Sequence, residues 1–219
     1  GCFIGRIRKP DESSDVTYSN QISRILQNRC VQCHRKGEIA PFALEQYDEV
    51  VGWAETIAEV VKDERMPPWH ASKKFGHFAN DRRLSDKEKD LIYRWVQNGA
   101  PKGDVSRLPD AKTFTVGWQL PREPDLVLPI AKRPYRVPAE GVVRYQYFRV
   151  DPGFKEDKWI QAAELLPGNR AVVHHILAFA RVPGSRSGSG GLDGFLVGYV
   201  PGLLARPFPA GMAKKIPAG

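Results

Sequence analysis

Cys30-Val31-Gln32-Cys33-His34 is the stretch on which the reading of this chain turns. Its two thiols stand three positions apart, so on a helical turn they face the same way. The imidazole of His34 follows directly. This is the spacing of a c-type haem (heme c) attachment motif, in which the thiols add across the two vinyl groups and the imidazole sits under the iron. Two rival readings of the thiol pair fare worse. Zinc needs two further Cys or His ligands at suitable spacing, and no second close pair lies nearby. A thioredoxin-like pair needs a strand before it and a βαβ frame, whereas a helical pattern leads into Cys30. Cys30, Cys33 and His34 are therefore expected to hold haem, with His34 as an iron ligand.

Working outward, three helices are expected around the motif. Ile22, Ile25, Leu26 and Cys30 share one helical face. Leu44, Tyr47, Val51, Ala54, Ala58 and Val61 follow helical spacing over about 44–61. Ser85 and Glu88 form a capping-box pattern ahead of Leu91, Ile92, Trp95 and Val96, and Asn98-Gly99 with Pro101 stops that third helix. Between the last two helices lies Met66-Pro67-Pro68-Trp69. The two prolines fix φ and remove backbone donors, so the loop is expected to run extended and to aim the Met66 thioether. Met66 is the only methionine of this part, the other being Met212. With haem present it is the preferred second iron ligand; His70 and His77 are the rivals, giving bis-histidine iron, and core filling is the bland role. Trp53, Trp69 and Trp95 either wall the haem or fill the core. Arg65, Arg82 and Arg83 are each able to pair with a haem propionate, and nothing in the sequence chooses among them.

These residues in combination resemble a small bacterial c-type cytochrome. The pattern runs from Tyr18, Ile22, Ile25 and Leu26 through Cys30, Cys33, His34 and Gly37 to Met66-Pro67-Pro68-Trp69. It ends with Trp95-Val96 and Gly99-Ala100-Pro101. It covers about residues 16–104, a small all-α domain. The resemblance implies electron transfer, redox protein partners, Met66 as distal ligand and a periplasmic or exported location. No basic leader or long apolar segment opens the chain at Gly1-Cys2-Phe3-Ile4-Gly5-Arg6, so a leader is expected upstream.

Composition shifts near residue 104, at Gly99-Ala100-Pro101-Lys102-Gly103-Asp104. Beyond it, residues 105–219 are rich in Pro and Gly with short β-branched runs. Strands are expected at Val142–Val150 and at Val172–Phe179, giving a β-sandwich-like domain with long connections. The whole chain is thus expected to be α+β and multidomain, with residues 1–15 as an N-terminal linker. Ser185 to Gly191 reads as a loop.

His174-His175 sits inside the second expected strand, where neighbouring side chains point to opposite faces. A core or surface role is the commoner one for such a pair. Val172–Phe179, with Gly211–Pro217 later, nevertheless resembles the first copper domain of type II, ascorbate-dependent copper monooxygenases, over about residues 120–219. That resemblance implies that His174 and His175 are two of three ligands to an electron-donating copper. The third would lie on a later strand, and no histidine follows His175. The family's second copper site is absent too. The opening Gly1–Arg6 resembles the end of a thioredoxin-like redoxin domain, which implies a fragment of a larger redox protein. An electron carrier without catalysis of its own is the first expectation, a haem-fed copper monooxygenase the second, and a purely structural β-module the third.

Composition sets the outer bounds. The chain has 219 residues, 42% hydrophobic, enough to bury a core. No apolar run approaches the ~20 residues needed to span a bilayer. The net charge of +8 is uneven, residues 105–219 carrying 16 Lys and Arg against 9 Asp and Glu. The basic residues do not cluster, so a nucleic-acid partner is not expected. Three cysteines, two in one motif and Cys2 alone, do not make a disulfide framework.

Overall fold

The structure, a computed structural model, describes residues 16–181, 184 and 194–219. The expected linker over 1–15 with Cys2, and the loop over 185–191, lie outside the described residues. The chain divides into two compact units, Gly1–Thr113 and Phe114–Gly219. No helix is long and apolar enough to cross a membrane among the described residues.

The first unit is helical. A π-helical turn, Tyr18–Ile22, runs into α1 (Ser23–Arg29), and Cys30 is its C-cap, donating its N–H to Leu26 O at 2.8 Å. Ile22, Ile25 and Leu26 are buried, as the periodicity predicts. The second expected helix is broken. α2 (Tyr47–Val50) begins at a Gln46–Glu49 capping box, a 3₁₀ turn follows over Val51–Trp53, and α3 spans Ala54–Lys62. Gly52 lies in the tightened turn, where its lack of a side chain lowers helix propensity. The buried stripe is accordingly Val50, Ala54, Ile57 and Val61, in place of the expected Val51 and Ala58. α4 (Asp86–Gln97) has the expected capping box, Ser85 with Glu88, and buries Ile92 and Trp95.

α3 packs against α4, and α4 also packs against the π-helical turn. Trp95 is fully buried, and its indole N–H donates to Pro101 O at 3.0 Å, so no polar atom of it is stranded. The chain leaving α4 doubles back through Gly99 (φ 79°) and Ala100 (φ 53°). There Pro101 O and Lys102 O accept the N–H groups of Tyr18 and Ser19, both at 2.9 Å. Gly103 completes the closure. Its φ is +75°, and a Cβ built there would stand 2.4–2.9 Å from the Thr17 side chain, so only glycine fits. A 3₁₀ turn, Val105–Arg107, contacts the π-helical turn and therefore belongs with this unit.

The second unit has two small antiparallel sheets. β1 (Lys158–Ile160) pairs with β4 (Lys214–Ile216), and β2 (Ile176–Phe179) pairs with β3 (Phe195–Tyr199), with an irregularity at Ala178/Phe179. The fold is thus mixed α and β, but two two-stranded sheets stand where a sandwich is expected. Two expected strands differ. Residues 142–150 join no sheet, and Val142 and Tyr147 are 91% and 83% exposed. The run from Val172 becomes a strand only at Ile176. β-branched and aromatic residues favour a strand only where a neighbouring strand and a packed face receive them, and 142–150 has neither among the described residues.

Candidate haem-attachment site and the paired histidines

α1 delivers the motif. After Cys30 the chain makes one tight turn, Cys33 N and His34 N both donating to Cys30 O at 3.0 Å. This brings the two thiols onto one turn of chain with the imidazole next to them. Both cysteines are half-buried and neither is in a disulfide. Val31, between them, is buried and anchors the turn in the core. The Cys30 thiol is pushed up to about 12, first by burial, then by the neighbouring Cys33 and by Glu88, with Arg29 opposing. A redox-active dithiol needs the reverse, a lowered value that yields a thiolate.

The His34 ring is fixed from the side. Its Nδ1 lies 3.2 Å from Phe42 O, and its backbone O accepts from Leu44 N at 3.0 Å. With Nδ1 donating to that carbonyl, Nε2 is left as the nitrogen that binds a metal. The Phe42 ring lies 4.9 Å from the imidazole and stacks on Trp53 at 4.3 Å, nearly parallel. Burial lowers the His34 value, partly offset by the Phe42 carbonyl, a shift that favours the neutral form in which imidazole ligates. Phe42 is a partner of the His34 ring that the sequence reading missed. Nothing in its spacing from His34 marks it; only the folded loop carries its carbonyl back to the ring.

The chemistry of this donor set fits a c-type haem: two unlinked thiols on one turn, and a neutral imidazole whose second nitrogen is already engaged. The other expected ligands are exposed. Met66 is 41% exposed, and its N–H is held by Val60 O at 3.1 Å just beyond α3. The chain bends at Met66 and Pro67, across a cis peptide bond, where an extended loop is expected. His70 and His77 are both exposed. Arg65 is exposed and bonds to Glu59 and Asp63, whereas Arg83 grips Asp81.

In the second unit, His174 and His175 lie in irregular chain just before β2, not on a strand. Freed from strand alternation, their rings turn towards each other, with Nδ1 atoms 2.8 Å apart and centroids 5.1 Å apart. Tyr145 lies against His175 at 5.5 Å. Among the described residues no group of three or more Cys, His, Asp or Glu converges as a metal site. No family model matches the chain, and neither do the curated proteins or the solved structures compared with it.

Proposed function

We propose that the first unit is an electron-transfer domain carrying one haem covalently bound through Cys30 and Cys33, with His34 and Met66 as its iron ligands. The observation that carries this reading is the contact from His34 Nδ1 to Phe42 O, on the same turn that presents both thiols. A neutral imidazole already held by one nitrogen is oriented for a metal at the other. Bound haem supplies a one-electron iron couple. The chain's own part is to keep the ligand ring from rotating, through Phe42, whose ring lies against it and stacks on Trp53. The partners of such a domain are other redox proteins. Its place is the periplasm or outside the cell, where haem is joined to motifs of this kind.

The deciding experiment is extraction with acid and acetone after expression alongside a haem-attachment system. Haem is expected to stay with the polypeptide and to be lost from the Cys30→Ala, Cys33→Ala double variant. Haem that extracts freely from the parent protein refutes the reading.

A second reading concerns the other unit, which would take copper at His174 and His175 and draw electrons from the haem. The 2.8 Å approach of the two Nδ1 atoms favours it, because it gathers two imidazole nitrogens at one point, where copper would displace the proton they share. Copper binds imidazole more tightly than most competing divalent metals.

A further inference from the structure

The His34 ring begins an aromatic stack that ends at the surface. Phe42 lies 4.9 Å from the imidazole, and Trp53 stacks on Phe42 at 4.3 Å with the two planes 8° apart. Trp53 is 41% exposed, so the three rings run without a break from the imidazole to solvent. A ring that served packing alone would turn its large apolar area inward; here the outermost and largest ring stays open. The chain around Trp53 also differs from the rest in charge. Residues 45–64 carry seven Asp and Glu against the single Lys62, in a chain of net charge +8. Glu59 and Asp63 are taken by Arg65, and Glu64 by Lys89. Glu45, Asp48, Glu49 and Glu55 are exposed, and no cation among the described residues holds one of them in an ion pair. They gather beside the His34 turn. Glu45 accepts the N–H of Lys36, two residues past His34, at 3.3 Å, and Glu49 accepts the N–H groups of Glu45 and Gln46 at 2.9 and 3.0 Å. Glu55 stands two residues from Trp53.

We propose that this face is where a redox partner docks: a protein whose one-electron metal centre opens onto a surface of Lys and Arg, seated over Trp53. The inference rests on the c-type haem reading above. Charge fixes the partner's sign, because an acidic face steers a basic surface onto itself and repels an acidic one. The rings fix the point of contact. Electron transfer falls off steeply with distance, and more steeply across open space than through packed matter. A stack from His34 to the surface therefore shortens the gap that a partner at Trp53 must cross. Each transfer is of one electron: the partner's oxidised centre is reduced as the iron is oxidised, and no bond or proton moves. Exposure alone does not mark the place. Phe75 is more exposed than Trp53, yet no ring contact joins it to His34 among the described residues.

The test uses the haem-loaded protein at low salt and redox probes of opposite charge, tris(phenanthroline)cobalt(III) and ferricyanide. Stopped-flow oxidation of the ferrous protein gives the rates. Nuclear magnetic resonance line broadening by hexaamminechromium(III), a paramagnetic cation, gives the place of contact. The chromium ion is expected to broaden the Trp53 indole N–H ahead of the other indoles. Asp48→Asn combined with Glu55→Gln is expected to slow the cobalt reaction about tenfold, to leave ferricyanide no slower, and to lose its effect at high salt. Glu123→Gln combined with Glu140→Gln removes the same charge from the second unit and is expected to change neither rate. Trp53→Leu is expected to slow the cobalt reaction several-fold at unchanged potential, and Trp53→Phe to recover much of the rate. With haem covalently attached, any one of three results overturns this inference alone: a parent-like cobalt rate in the Asp48, Glu55 variant, an equal fall in the Glu123, Glu140 variant, or broadening centred away from Trp53. A parent-like rate in Trp53→Leu does the same. Self-association of the parent at low salt, with Trp53 signals that move with protein concentration, gives the face to a second copy and overturns it too. Absence of covalent haem from the parent overturns both readings.

Discussion

Glu88 meets Arg29 with both carboxylate oxygens, at 2.9 Å to Nε and 3.2 Å to Nη2. The same carboxylate accepts the N–H and hydroxyl of Ser85 at 2.7 and 2.8 Å. One side chain therefore caps α4 and ties it to the last residue of α1, beside Cys30. Burial alone would raise the Glu88 value, but the Arg29 and Ser85 bonds outweigh it and bring it below the ordinary range.

The sign of the pH effect follows. A carboxyl lowered in the folded state stabilises fully above its unfolded value, and the gain is lost as pH falls through the lowered folded value. Glu88→Gln is expected to cost about 1–2 kcal/mol near pH 7, from the cap and the partly buried pair together. The cost should shrink as pH drops below the carboxylate range. Urea unfolding of parent and variant at pH 7 and pH 3 checks this; an equal cost at both would place the effect in packing and not in charge.

Gly103→Ala is expected to destabilise the first unit by roughly 2–4 kcal/mol, combining left-handed strain with a clash against Thr17. Gly99→Ala carries a φ of +79° but meets nothing within 4 Å, so strain alone applies, about 1 kcal/mol. Thermal melts of both variants should rank them in that order. The reverse order would mean that the Thr17–Gly103 closure is looser than its geometry.

Met66→Ala is expected to abolish a weak sulfur-to-iron absorption band at the red end of the oxidised spectrum and to lower the reduction potential. His70→Ala and His77→Ala should leave that band intact. If the parent lacks the band and one of the histidine variants changes the spectrum, that histidine is the distal ligand.

Copper at the paired histidines is expected to bind weakly, two imidazoles being an incomplete donor set. Calorimetric titration with copper should give heat in the parent and none in either His174→Ala or His175→Ala. Binding that persists in both variants makes the pair structural.

Features governed by near neighbours could be read from the sequence alone. The thiol pair with its imidazole, the Ser85–Glu88 cap and the stop at Gly99 each depend on residues within one helical turn, where spacing dictates geometry. The burial of Ile22, Ile25, Leu26, Ile92 and Trp95 followed from a 3.6-residue period. The tertiary structure decided what depends on distant partners. It brought Phe42 O to His34 Nδ1 and Glu88 to Arg29, and it set Arg83 on Asp81 and Arg65 on Glu59. It also left 142–150 outside any sheet, and turned His174 towards His175 by setting them before β2 and not within it. Strand formation and side-chain convergence are set by what the rest of the chain places opposite, and a local pattern carries no record of that.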